Sequence, residues 1–196
     1  MRQFELRAQA RGFNSIAGCD EAGRGPLAGP VVAAAVILPE NYINSDIRDS
    51  KTLTSLKRER LYEVIREAAL SIGIGIVEPD IIDKINILRA SLMAMGKAVS
   101  ALSPQPDYIL IDGINAIDVP IPQESIIRGD SLSISIAAAS IIAKVSRDRI
   151  MNRYHLQYPQ YNFIKNKGYG TKEHREAIKI HGRSKIHRKS FNIKLQ

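Results

Sequence analysis

The sequence predicts an α/β layer fold with a mainly helical C-terminal part. Short apolar runs bounded by glycine or proline read as strands. Amphipathic stretches of helical period lie between them, without strict alternation. The last strand pattern ends near Asp130, and only helical patterns follow it. At 196 residues the chain is expected to form one domain with a sizeable core, with no internal repeat or low-complexity linker.

Each element has its own signal. "NSIAGCD" reads as a buried strand ending at Asp20, and "GPVVAAAVILP" as a second strand between Pro30 and Pro39. A helix is expected from about Ser55 to Ala69, with Thr54 as N-cap and Leu56, Leu61, Val64, Ile65 and Ala68 on its inner face. "SIGIGIVEP" sets Ile72, Ile74 and Ile76 against small residues, the period of a strand. Pro79 opens one helix running to about Leu102, with Ile82, Ile85, Leu88, Leu92 and Met95 inward. "PDYILIDG" is a strand ending at Asp112, and "ESIIRGD" another ending near Asp130. A long helix follows from about Ser135 to Tyr158. Thr171 caps a last helix, which Gly182 stops.

The net charge is +8, and the basic residues concentrate in "SLKRER", in "AKVSRDRIMNR" and from Lys165 onward. This favours a polyanionic partner, nucleic acid first, although a basic surface alone has the same composition. No apolar run approaches the roughly 20 residues that span a bilayer, so no membrane partner is expected. The opening "MRQFELRAQARGF" lacks a signal-peptide core, and the single cysteine cannot form an internal disulfide. A cytoplasmic protein is expected.

Three of the strands end in carboxylates: Asp20 with Glu21, Asp112, and Asp130, each with glycine close by. Ligands in α/β folds collect where strand ends and loops converge. Converging carboxylates repel unless a cation neutralises them, and hard oxygen donors suit Mg²⁺ or Mn²⁺. Such ions can activate a water and stabilise a leaving oxygen in phosphodiester cleavage. The same "DG" and "GD" pairs serve equally as turns and caps. Cys19 reads as packing, the four histidines lack zinc spacing, and no P-loop pattern is present. The serines of "SLSISIAAAS" read as tight helix packing.

Five segments together resemble one family. "GCDEAGRGPLAGPVVAAAVIL", "DSKTL", "IDG", "GDSLSISIAAASIIAKVSRDRIM" and "KGYGTKEHREAI" occur in the order of the ribonuclease HII family's motifs, and "HRKSF" resembles its C-terminal pattern. The resemblance covers nearly the whole chain. It implies an RNase H-like fold, a central five-stranded mixed sheet flanked by helices, with a helical C-terminal extension from about residue 160 to 196. It implies metal-dependent cleavage of the RNA strand of RNA–DNA hybrids, and cleavage 5′ of single ribonucleotides embedded in duplex DNA. That activity would leave a 5′-phosphate and a 3′-hydroxyl and would serve DNA replication and ribonucleotide excision repair.

The positions matching the family's metal-binding quartet are Asp20, Glu21, Asp112 and Asp130, with Mg²⁺ or Mn²⁺ as cofactor. Gly23, Arg24 and Gly25 match its loop that reads the 2′-hydroxyl, and Tyr169 its tyrosine that stacks on the neighbouring deoxyribose. Arg128 stands where lysine is frequent, and Cys19 where an aliphatic residue is usual. Adjacent strand residues face opposite ways, so Asp20 and Glu21 require a bend to share one site. Glycines at 23 and 25 would let main-chain groups approach a sugar, and Arg24 could hold a phosphate through its planar fork. Lys51 and Lys144 are candidate phosphate contacts, though either is also an ordinary surface lysine. A monomer is expected, with the C-terminal tail as the place for a sliding-clamp contact. A hybrid-binding protein without catalysis, or another nuclease or integrase on the same fold, would share parts of this pattern.

Overall fold

The computed structural model describes residues 1–47 and 53–192. The expected Lys51 contact and the end of the C-terminal tail lie outside these residues. The elements run α1 (Gln3–Gln9), β1 (Ile16–Ala22), β2 (Val31–Ile37), α2 (Ser55–Ala68), β3 (Ser71–Val77), α3 (Pro79–Ile85) and α4 (Ile87–Ser100). They continue with β4 (Tyr108–Asp112), β5 (Gln123–Ile126), α5 (Ile134–Gln157), α6 (Phe163–Asn166) and α7 (Lys172–His181).

The five strands form one mixed sheet in the order β3-β2-β1-β4-β5. β1, β2 and β3 pair antiparallel, while β4 pairs parallel to β1 and β5 parallel to β4. A parallel return needs a crossover, and α3 with α4 supply it between β3 and β4. Every residue of β2 is buried, because both sheet faces are covered. On one face Ala33, Ala35 and Ile37 pack with Ala90, Ala94 and Ala98 of α4. On the other, Ala34 and Val36 pack with Ala138, Ile141 and Ile142 of α5. Small residues at both interfaces let the helices settle close. A Cβ on Gly18 of β1 would stand 2.1 Å from the Ser135 carbonyl carbon, so only glycine seats the start of α5 there. Among the described residues no helix is long and apolar enough to cross a membrane.

The sheet and its flanking helices are those expected, with differences in detail. β1 does not stop at Asp20 but continues in the ladder through Ala22. The single helix expected from Pro79 to about Leu102 is two, broken at Asn86, whose φ is +69° and whose side chain caps the Arg89 N–H of α4. Leu56 and Leu88, expected inward, are exposed, while Tyr62 takes a buried place on α2. "ESIIRGD" ends as a strand at Ile126, and Asp130 lies beyond it in a 3-10 turn over Gly129–Ser131. The short helices α1 and α6 have no counterpart in the sequence expectations. Beyond the sheet, Met151, Tyr161, Phe163, Ile178 and Ile186 form a separate apolar cluster where the C-terminal segments meet the end of α5.

Candidate active site

The strand register brings the carboxylates together. Cys19 of β1 pairs with Ile111 of the parallel strand β4, so Asp20 and Asp112 are the next step of the same register. Asp112 in turn pairs with Ile126 at the end of β5. Asp20 therefore lies beside the ends of β4 and β5, at the end of the sheet where α/β folds hold ligands. A cavity of about 280 Å³ opens there, lined by Asp20, Glu21, Gly23, Arg24, Gly25, Asp112, Ser140, Lys144 and Tyr169 among others.

Asp20 is buried; its Oδ1 accepts the Glu21 N–H at 2.7 Å, and Ser140 of α5 hydrogen-bonds its side chain. Burial pushes its carboxyl well above the usual carboxylate range, and the charges of Glu21 and Asp112 push the same way. Burial also raises Glu21, with Asp112 adding to it and Arg24 opposing. Arg24 Nη1 reaches Glu21 Oε1 at 3.4 Å. Asp112 Oδ1 accepts the Gly129 N–H at 2.7 Å, which fastens the turn carrying Asp130. That turn is entered through Arg128 with φ at +58°, a conformation few non-glycine residues adopt. Asp130 is buried in it and is not one of the cavity's lining residues. Asp20 and Glu21 alternate in the strand yet both line the cavity.

Among the described residues no three His, Cys, Asp or Glu side chains are already gathered as a cation site. The donor chemistry nevertheless fits a hard divalent cation. Mg²⁺ typically takes one or two carboxylates and completes its shell with water and substrate phosphate. Asp20, Glu21 and Asp112 offer carboxylate oxygen on one cavity, and their mutual repulsion is what such an ion relieves.

The glycine loop forms the next wall. A Cβ on Gly23 would stand 2.1 Å from Arg147 Nε, and its φ is +101°, so the fold itself requires glycine there. Gly25 is different: among the described residues a Cβ would meet nothing nearer than a Tyr169 ring carbon at 3.8 Å. The protein leaves that space open toward the cavity. The N–H groups of Arg24 and Gly25 have no acceptor among the described residues. Tyr169 is exposed, as a loop tyrosine rather than a core one, with Lys144 Nζ and Arg147 Cζ about 6 Å from its ring centre. Lys144 lines the cavity while pairing with Asp148 at 2.8 Å.

Several residues around the site carry no signal of their role in the sequence. Ser140, read as packing, touches Asp20. Arg147 and Arg188 are fully buried behind the glycine loop, and His174 and His187 form a buried pair behind Tyr169. Cys19 is packed in the core as expected.

The family model described as Ribonuclease HII matches residues 17–194. A protein named ribonuclease HII from Syntrophus aciditrophicus is 62% identical over 194 residues, covering 99% of this chain and 92% of its own length. The crystal structure of ribonuclease H2 from Pyrococcus horikoshii superposes with a TM-score of 0.77 at 26% identity, over 92% of this chain and 95% of that one. A structure of a PCNA:RNase HII complex from Archaeoglobus fulgidus gives 0.76 at 24% identity, over 93% and 98%, a likeness of fold.

Proposed function

This chain belongs to the ribonuclease HII family and is a ribonuclease H endonuclease acting on the RNA strand of RNA–DNA hybrids; from that premise we propose that it also cuts duplex DNA on the 5′ side of a single embedded ribonucleotide. The observation that carries this reading is Gly25. The fold would accept a side chain there, so the open space facing Tyr169 is explained by a ligand's close approach.

In this reading the N–H groups of Arg24 and Gly25, which have no acceptor among the described residues, meet the 2′-hydroxyl, the group that separates RNA from DNA. The ring of Tyr169 packs on the adjoining deoxyribose, where a further hydroxyl would not fit. Lys144 faces the phosphates, and the Lys51 contact is proposed on the resemblance alone. Asp20, Glu21, Asp112 and Asp130 would hold Mg²⁺ or Mn²⁺, with Asp130 acting from its buried turn beside Asp112. The bound cation supplies the charge neutralisation and water activation that phosphodiester hydrolysis needs. Ser140 and the Glu21 N–H keep the Asp20 carboxylate oriented, and Gly129 does so for Asp112.

The cut on the 5′ side leaves a phosphate on the ribonucleotide and a 3′-hydroxyl on the preceding DNA. The ribose hydroxyl neighbours the phosphate on its own 3′ side, so in this cut it is recognised and not consumed. A single-domain cytoplasmic monomer, with a clamp contact in the C-terminal tail, completes the reading.

The test is a DNA duplex carrying one ribonucleotide, incubated with and without Mg²⁺. Strand cleavage that requires both the ribonucleotide and the ion is expected. Cleavage of an all-DNA duplex at a similar rate would refute the sugar-reading role.

A further inference from the structure

Two guanidiniums lie buried behind the glycine loop, and their described hydrogen bonds all go to main-chain carbonyls. Arg147 donates to Ala28, Pro30 and Lys167. Arg188 donates from Nε to the Gly29 carbonyl at 3.0 Å, from Nη1 to Arg24 at 2.9 Å and from Nη2 to Gly23 at 2.6 Å. Desolvating a cation is costly, so such an arrangement needs a return in structure or function.

The geometry shows what Arg188 determines. In a trans peptide the carbonyl and the N–H of the next residue point opposite ways. Holding the Gly23 and Arg24 carbonyls inward therefore turns the Arg24 and Gly25 N–H groups outward. These are the two donors that have no acceptor among the described residues.

The residue before Arg188 reaches the other arm of the site. The Ser184 N–H donates to His187 Nδ1 at 2.9 Å, so that nitrogen carries no proton and Nε2 does. His174 Nδ1 lies 2.9 Å from the Tyr169 carbonyl, which only accepts, so this nitrogen is protonated and Nε2 accepts. The 3.0 Å contact between the two Nε2 atoms is then one hydrogen bond from His187 to His174. One neutral tautomer of each ring satisfies the whole chain from Ser184 to Tyr169. The main chain reinforces the arrangement: Ala28 faces His187 in an antiparallel bridge, Arg188 N–H donates to Leu27, and Leu27 N–H donates to Gly168.

We propose that the dipeptide His187-Arg188 is the positioning element of the sugar-reading site. Arg188 fixes the main chain of Gly23–Gly25, and His187 fixes Tyr169 through His174, so that the two arms meet neighbouring sugars at a set spacing. Neither residue lines the cavity. The proposal rests on the reading of the two arms given above.

The parent, Arg188→Lys and His187→Phe are compared for binding, in Ca²⁺, to a duplex with one ribonucleotide and to the same duplex as DNA. Single-turnover cleavage is then measured in Mg²⁺. An ammonium cannot reach three carbonyls, and phenylalanine fills the imidazole's place without its hydrogen bonds. Each variant is expected to lose most of the preference for the ribonucleotide duplex and at least roughly tenfold in cleavage rate. Affinity for all-DNA duplex should stay near the parent's. Adding Tyr169→Ala to His187→Phe should cost far less than it does in the parent, because the arm is already released. His187→Phe leaves the buried charges in place and decides the question if Arg188→Lys does not fold. A parent without preference overturns the sugar reading and this proposal together. A parent with preference, and folded variants that keep it or that weaken both duplexes equally, overturns the positioning role alone.

Discussion

His187 Nε2 lies 3.0 Å from His174 Nε2 in a pocket walled by the rings of Tyr161 and Phe163. Both imidazoles are held below the ordinary histidine value, chiefly by burial. His187 is lowered to about 4, with repulsion from His174 and Arg183 adding to burial. The sign follows from linkage. Below the unfolded value near 6.5 the unfolded chain binds protons that the folded chain refuses, so this contribution is full above that pH and is lost as pH falls toward about 4. His187→Phe removes the contribution. The gap in melting temperature between parent and variant should therefore narrow between pH 7 and pH 4.5, and a gap that does not change with pH contradicts the neutral pair.

Gly23 and Gly25 should separate when each is changed to alanine. Gly23→Ala forces a Cβ into Arg147 at a positive φ, and should lower the melting temperature by several degrees, at about 2–4 °C per kcal/mol for a chain of this size. Gly25→Ala meets no atom of the described residues closer than 3.8 Å and should melt like the parent. Its added methyl stands where the ligand would, and cleavage should fall by roughly tenfold or more. Thermal melting alongside single-turnover rates checks both, and a fast Gly25→Ala enzyme would leave the open space without its assigned purpose.

Asp112→Asn keeps an oxygen to accept the Gly129 N–H, so the turn carrying Asp130 should survive. It removes one of the three carboxylate charges that the described residues place on the cavity. Cleavage of hybrid should be nearly abolished while hybrid binding, measured by fluorescence anisotropy, is retained. Turnover like the parent's would remove Asp112 from the mechanism.

The Tyr169 ring is exposed and backed by cationic groups, the setting of a stacking surface. Contacts of this kind contribute on the order of 1–3 kcal/mol. Tyr169→Ala should slow cleavage at a lone ribonucleotide by roughly ten- to hundred-fold, at about tenfold per 1.4 kcal/mol. Tyr169→Phe, which keeps the ring face, should be milder. An alanine variant that melts normally and cuts at the parent's rate would end the stacking role.

Much of this was legible in the residues. Strands bounded by glycine and proline were readable because each closes abruptly, and β2, β3 and β4 fall where the apolar runs place them. The break at Asn86 was hidden because the apolar period runs on from Ile85 to Leu88 across it. Leu56 misled because a helix pattern assigns a face without saying what covers the first turn. The carboxylate positions could be read, but their convergence depends on the parallel pairing of β1 with β4, which is a matter of register. Arg147, Arg188, His174 and His187 were illegible for a common reason. The arginines bond main-chain carbonyls far away in sequence, the histidines bond each other and main-chain groups of Tyr169 and Ser184, and an isolated charged or imidazole side chain reads as surface.

A cavity that selects a ribose and hydrolyses the phosphate on its 5′ side leaves a distinct pair of ends. The most direct measurement maps the ends of products from a duplex with one ribonucleotide, labelled on either side of it, in Mg²⁺. The expected products are DNA ending in a 3′-hydroxyl and a fragment beginning with the 5′-phosphorylated ribonucleotide. A cut on the ribonucleotide's 3′ side, or a cyclic phosphate end formed by its own 2′-hydroxyl, would contradict the account.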